Sequence, residues 1–68
     1  MSHTILTKRE RQIFELVLKK YDTRTIASTL SISEKTVRNH ISNVIQKLGV
    51  KGRTQAIIEL IRIKEINI

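Results

Sequence analysis

Residues 23–49 read TRTIASTLSISEKTVRNHISNVIQKLG, and this stretch decides the fold. It contains no proline, and its one glycine closes it, so its composition favours helices. Ser31-Ile32-Ser33 divides it and is long enough only for a tight turn. We therefore expect a short helix at about 23–30 and a longer helix at about 34–48, which together form a helix-turn-helix.

The longer helix has recognisable ends and one apolar stripe. Ser33 is a favourable N-cap, and Gly49 can adopt the left-handed conformation that ends a helix. The stripe has spacings of 4, 3 and 4 residues and consists of Val37, Ile41, Val44 and Leu48. This periodicity predicts a helix that buries one face.

The flanking sequence predicts two further helices. Thr7-Lys8-Arg9-Glu10 is a Thr-x-x-Glu capping box, which starts a helix at about 7–20. A fourth helix is expected at about 53–64, a tail at 1–5, and fraying at 65–68. The prediction is an all-α four-helix bundle that forms a single domain over residues 1–68.

The charge is unbalanced, with 13 Lys and Arg against 6 Asp and Glu and a net charge of +7. Six of the basic residues lie between Arg24 and Arg53, where Glu34 is the one acid. Such an excess indicates a polyanionic partner, either nucleic acid or an anionic membrane surface. No apolar run approaches the roughly 20 residues of a membrane span, and no signal peptide is evident. We expect a cytoplasmic, nucleoid-associated protein.

The outer face of the longer helix carries the residue types that contact DNA. Once the stripe is set aside, its first half exposes Lys35, Thr36, Arg38, Asn39 and Ser42. Arg can donate two hydrogen bonds to guanine and Asn can pair with adenine, while Ser, Thr and Lys contact phosphates. An ordinary solvated face would mix charge signs. His40 borders the stripe and is expected either to bond within the fold or to contact a phosphate.

The fourth helix is more apolar than one core-facing stripe requires. Because a core of this size gives little stability, we expect self-association through Ile57, Ile58 and Ile61. The alternative is that the first helix covers the whole of this apolar surface.

Residues 26–50, IASTLSISEKTVRNHISNVIQKLGV, resemble the DNA-binding domain of LuxR-type transcription regulators, also called the GerE type. Leu6 to Glu10 resembles the opening signature of that family, and Arg53 with Ala56 its closing one. The resemblance covers about residues 5–64, and it is specific because several spaced elements agree.

The resemblance implies a four-helix domain that dimerises through its last helix, binds paired half-sites and often contacts RNA polymerase. Base-contacting positions of the family fall on Arg38, Asn39 and Ser42. Phosphate-contacting positions fall on Thr23, Arg24, Lys35, Thr36, Lys47 and Arg53. Glu10 and Arg53 are alternatively expected to form a structural ion pair. No sensing domain is evident, so the chain is similar to freestanding members, which include a regulator of late spore-coat genes.

Other functions are less consistent with the sequence. An enzyme is not expected, since there is no cysteine, no glycine-rich phosphate loop and no imidazole near paired carboxylates. With two histidines and no cysteine, no metal site is expected, nor is a cofactor or small-molecule ligand. RNA binding usually displays stacking aromatics, of which Phe14 and Tyr21 are the only two. A sigma-factor-like adaptor that acts mainly through RNA polymerase stays the alternative.

Overall fold

The computed structural model describes residues 5–67 and shows four helices, with no strand in that range. They are α1 (Lys8–Leu18), α2 (Thr23–Leu30), α3 (Glu34–Leu48) and α4 (Arg53–Arg62). α2 and α3 pack directly against each other across the turn at Ser31-Ile32-Ser33. The predicted all-α fold with a helix-turn-helix is therefore confirmed.

The capping box predicted for α1 is present. The Thr7 hydroxyl accepts a hydrogen bond from the Glu10 backbone N–H at 3.1 Å, and the Glu10 carboxylate accepts one from the Thr7 N–H at 2.9 Å. Leu6, just before the cap, is buried. Two backbone donors that the helix cannot satisfy are thus paired, and the chain enters α1 through the core.

α1 ends at Leu18, two residues before the expected end at Lys20. Lys20 has φ 70°, in the left-handed region. Its N–H donates to the Val17 carbonyl at 2.9 Å, while the Tyr21 N–H donates to the Leu16 carbonyl at 3.1 Å. These two bonds form a Schellman motif, which ends a helix with a left-handed residue whether or not that residue is glycine.

The core is built around α3, which packs against each of the other three helices. Phe14 of α1 and Val37 and Val44 of α3 are completely buried, as are Ile26 of α2 and Leu60 of α4. The full set of buried apolar residues comprises Leu6, Ile13, Phe14, Val17, Ile26, Ala27, Val37, Ile41, Val44, Ala56, Leu60 and Ile66. A single core therefore holds both helices of the helix-turn-helix.

The segment after α4 differs from the prediction. α4 ends at Arg62 rather than Lys64, because Lys64 adopts a left-handed φ of 62°. The expected fraying at 65–68 is wrong for Ile66, which is only 2% exposed and belongs to the core. Residues 1–4 of the expected tail lie outside the described residues, and so does Ile68. None of the four helices is long and apolar enough to cross a membrane.

Candidate nucleic-acid interface

α3 begins and ends as the sequence predicts. The Ser33 hydroxyl accepts a hydrogen bond from the Thr36 N–H at 3.0 Å, which caps the helix. Glu34 follows at the first helical position, where its negative charge suits the positive end of the helix dipole. Gly49 closes the helix with φ 67°. The Ser33 cap holds the N-terminal turn of α3 in a defined conformation.

Buried and exposed residues alternate along α3 with helical periodicity. Val37, Ile41 and Val44 are buried, and Leu48 is half-buried against the core. The three residues predicted to contact bases, which are Arg38, Asn39 and Ser42, are all exposed. Spacings of three and four residues place Ser42 beside both Asn39 and Arg38, so the three lie on one solvent-facing side of the helix.

Glu34 lies beside Arg38 on this exposed face. The Arg38 guanidinium is 3.5 Å from the Glu34 carboxylate, one helical turn away. Both side chains are largely exposed, so the attraction is weak in water. Sequence reasoning could have found the pair from its (i, i+4) spacing. The Arg38 guanidinium thus remains accessible on this face despite the contact.

The start of α2 presents Thr23, half-buried, and Arg24, exposed. The Asp22 carboxylate caps this helix by accepting a hydrogen bond from the Thr25 N–H at 2.7 Å. That backbone bond is the main reason why the pKa of Asp22 lies below its ordinary value.

The start of α3 presents two more of the predicted phosphate contacts. Lys35 is exposed, and Thr36 is half-buried with its hydroxyl 2.9 Å from that of Ser33.

Lys47, which is predicted to contact a phosphate, forms an ion pair within the chain. Its ammonium is 2.6 Å from the Glu10 carboxylate and donates to the Ile5 carbonyl at 3.2 Å. Glu10 is 4% exposed, so the pair connects the end of α3 to the buried start of α1. The alternative pairing of Glu10 with Arg53 is wrong, because Lys47 occupies that position.

Arg53 and His40 stay available as predicted contacts. Arg53 is exposed at the first position of α4 and takes part in none of the ion pairs found among residues 5–67. His40 is half-buried on α3, next to Asn39. Neither position conflicts with a phosphate contact.

α4 has one face in the core and another face with exposed apolar atoms. Ala56 and Leu60 are fully buried. Ile57 and Ile61 are half-buried, and Ile58 is 61% exposed, the highest value among the large hydrophobic residues of the described range 5–67. α1 therefore does not cover all of the apolar surface of α4, in contrast to the alternative weighed from the sequence.

Three comparisons with known proteins agree on the type of domain. Residues 4–60 match the family model described as bacterial regulatory proteins, luxR family. The chain is 61% identical over 67 residues to the spore germination protein GerE of Bacillus subtilis, covering 98% of this chain and 90% of that protein. It is 50% identical over 58 residues to the transcriptional regulatory protein DegU of Brevibacillus brevis, of which it spans 25%.

A solved structure gives the same result for the fold. The structure of the transcription factor GerE superposes with a TM-score of 0.93 at 60% sequence identity, covering 96% of this chain and 97% of that one. The likeness therefore extends over nearly the whole chain.

Proposed function

Because the chain belongs to the luxR family of bacterial regulatory proteins, we propose that it binds double-stranded DNA as a homodimer with α3 of each copy in the major groove. The family consists of DNA-binding transcription regulators and not of enzymes. Residues 1–68 act in this proposal as one helix-turn-helix domain.

One observation carries the proposal: the exposed side of α3 presents base-contacting residue types, while its buried stripe packs into the core. Arg38 donates its two parallel N–H groups to guanine, and Asn39 pairs with adenine. Ser42, one turn beyond Arg38, supplies a further hydrogen bond. The core behind α3 fixes the helix, so the three side chains enter the groove from a rigid element.

Phosphate contacts flank these residues on the neighbouring elements. Arg24 at the start of α2, Lys35 at the start of α3 and Arg53 at the start of α4 are all exposed cations. The other phosphate-contacting residues in the proposal are Thr23, Thr36, His40 and Lys47. Cationic side chains at helix starts combine with free backbone N–H groups, which also favour phosphate.

The dimer contact is proposed on the apolar face of α4. Ile58 and Ile61 lie three residues apart and hence side by side, with Ile57 adjoining them. Exposed apolar surface of this kind is best buried by a second copy, because a small core gains stability from a partner. Two copies would bind half-sites about 10 bp apart, centre to centre, or a multiple of that distance.

The biological role proposed is the regulation of late sporulation genes, including spore-coat genes. Its support is the 61% identity to a relative named as a spore germination protein, which extends over 98% of this chain. Contact with RNA polymerase is proposed as the route to activation.

The proposal is tested by the salt dependence of binding to duplexes selected from a random pool. Arg24, Lys35 and Arg53 in two copies make six charged phosphate contacts, which predicts a log–log slope of about −5. A slope near zero would contradict DNA binding. Equal affinity for all duplexes, together with tight binding to RNA polymerase without DNA, would favour the adaptor function instead.

A further inference from the structure

The chain beyond α4 turns back toward the start of α1. Lys64 adopts a left-handed conformation, and its N–H donates to the Ile61 carbonyl at 3.0 Å. The Glu65 N–H donates to the Leu60 carbonyl at 2.8 Å. These bonds form a Schellman motif, which reverses the chain direction and brings Glu65 beside α1.

Glu65 and its neighbours then form what we call the C-terminal clasp, made of Leu6, Arg11, Glu65 and Ile66. The Glu65 carboxylate accepts hydrogen bonds from the Leu6 N–H at 3.4 Å and from the Arg11 guanidinium at 3.1 Å. A second Arg11 nitrogen donates to the Glu65 backbone carbonyl. The carboxylate is only 11% exposed, and Ile66 lies in the core.

The clasp gives α4 a second attachment. Among the helices, α4 packs chiefly against α3. A single helix contact leaves a helix free to tilt, whereas the clasp fixes the C-terminal end of α4 to α1. Because α1 also packs against α3, the angle between α3 and α4 is fixed from both sides.

We infer that Arg11 and Glu65 are positioning residues that set the half-site spacing the protein recognises. The inference rests on the proposed homodimer, in which the α4 face at Ile58 joins two copies and α3 contacts DNA. The angle between α3 and α4 then determines the distance and rotation between the two recognition helices. One added base pair rotates a half-site by about 34° on the duplex, so a small tilt of α4 changes which spacing fits.

The test compares binding to duplexes that carry two selected half-sites at successive spacings, each one base pair longer than the last. Wild type is expected to bind one spacing about tenfold more tightly than its neighbours. Glu65→Ala is expected to lower that preference to about threefold or less, while keeping single half-site affinity within about twofold. Glu15→Ala is the matched control, since it removes the same charge from an exposed site on α1.

A second variant guards against a loss of folding. Arg11→Lys keeps the charge but replaces the planar guanidinium, whose two terminal nitrogens reach the carboxylate and the carbonyl of Glu65, with one nitrogen on a shorter side chain. It should relax the spacing preference while leaving the circular dichroism spectrum and the dimerisation constant as in wild type. A spacing profile that stays sharp in both variants overturns the role of the clasp and leaves the dimer intact. A wild type without any spacing preference overturns the dimer, and this inference with it.

Discussion

The Lys47 ammonium lies 2.6 Å from the Glu10 carboxylate and so joins the end of α3 to the start of α1. Glu10 also accepts the capping hydrogen bond from Thr7, so one buried carboxylate serves two elements. Lys47, which is predicted to contact a phosphate, thereby has a contact within the fold, and substitution distinguishes the two roles.

Replacing Lys47 is expected to destabilise the protein without changing its electrostatic contact with DNA. Lys47→Ala leaves the carboxylate of Glu10 buried without its cation, which should lower the free energy of unfolding by about 1–3 kcal/mol. Urea unfolding measures this loss, with the exposed Lys51→Ala as control. If Lys47→Ala instead keeps full stability and makes the salt slope shallower by about 0.9 per copy, Lys47 contacts phosphate after all.

Glu10 should also make stability depend on pH. Burial raises the pKa of its carboxyl, but hydrogen bonds from Lys47 and Thr7 and the charge of Lys47 together hold it below the ordinary value of 4.5. The folded chain then binds this proton less readily than the unfolded chain, so the stabilisation is complete above that value and is lost as pH falls through the folded pKa.

Glu10→Gln isolates this effect, because glutamine keeps the capping box but does not titrate. Urea unfolding from about pH 7 to about pH 3 should show wild type more stable at neutral pH, with the difference shrinking below about pH 4.5. If the difference in the free energy of unfolding stays constant over this pH range, Lys47 does not stabilise the charged form of Glu10.

Base contact and phosphate contact can be separated by two arginine substitutions. Arg38→Ala should weaken binding to the selected site by about 1–3 kcal/mol and relax the preference at one base pair. Arg24→Ala should weaken binding to all duplexes alike. It should also make the slope of log affinity against log salt concentration shallower by about 0.9 per copy. Fluorescence anisotropy against a set of single-base-pair variants distinguishes them, and identical profiles would contradict the assignment.

The dimer is tested most cleanly at Ile58. Since this side chain is 61% exposed, Ile58→Asp should leave the core intact while placing a charge in the proposed contact. Sedimentation equilibrium should show a monomer, whereas Gln12→Asp, on an exposed position of α1, should sediment as wild type does. An Ile58→Asp variant that is still dimeric would move the interface elsewhere.

The end of α1 offers a test of backbone conformation. Lys20 has φ 70°, a conformation that costs a non-glycine residue about 1–2 kcal/mol, so Lys20→Gly should raise the free energy of unfolding by about 0.5–1 kcal/mol. Lys19, with φ −80°, is the matched control. Lys19→Gly removes the same charge but should destabilise by about 0.5–1 kcal/mol, because it only adds freedom to the unfolded chain. Thermal unfolding that ranks the two variants in the opposite order would contradict this account.

What the sequence predicted correctly about the fold depends on local signals. Each correct prediction depends on residues close together in the sequence. The structure contains the capping box of Thr7 and Glu10, the periodic stripe on α3 and the helix end at Gly49. The sequence predicts the ends of α1 and α4 two residues too late, because the left-handed positions that follow these helices are Lys20 and Lys64 and not glycine. Their left-handed conformations are stabilised by hydrogen bonds that form only when the chain turns.

The exposed face of α3 was predictable for the same reason, since helical spacing alone separates Arg38 from Val37. The partner of Glu10 was not, because no local pattern brings position 47 to the start of α1. The contacts of Glu65 with Arg11 likewise join opposite ends of the chain and depend on the packed core. Such long-range ion pairs are decided by tertiary structure, and single-sequence patterns do not contain them.

The separation of a buried and an exposed face along α3 has an evolutionary consequence. Val37, Ile41 and Val44 carry the core, while Arg38, Asn39 and Ser42 contribute almost nothing to it. Substitutions at the exposed positions therefore change stability little, in contrast to those at the buried ones. The proposed base contacts therefore allow lineages that inherit this domain to acquire new target sequences one mutation at a time, without first accumulating compensating changes in the core.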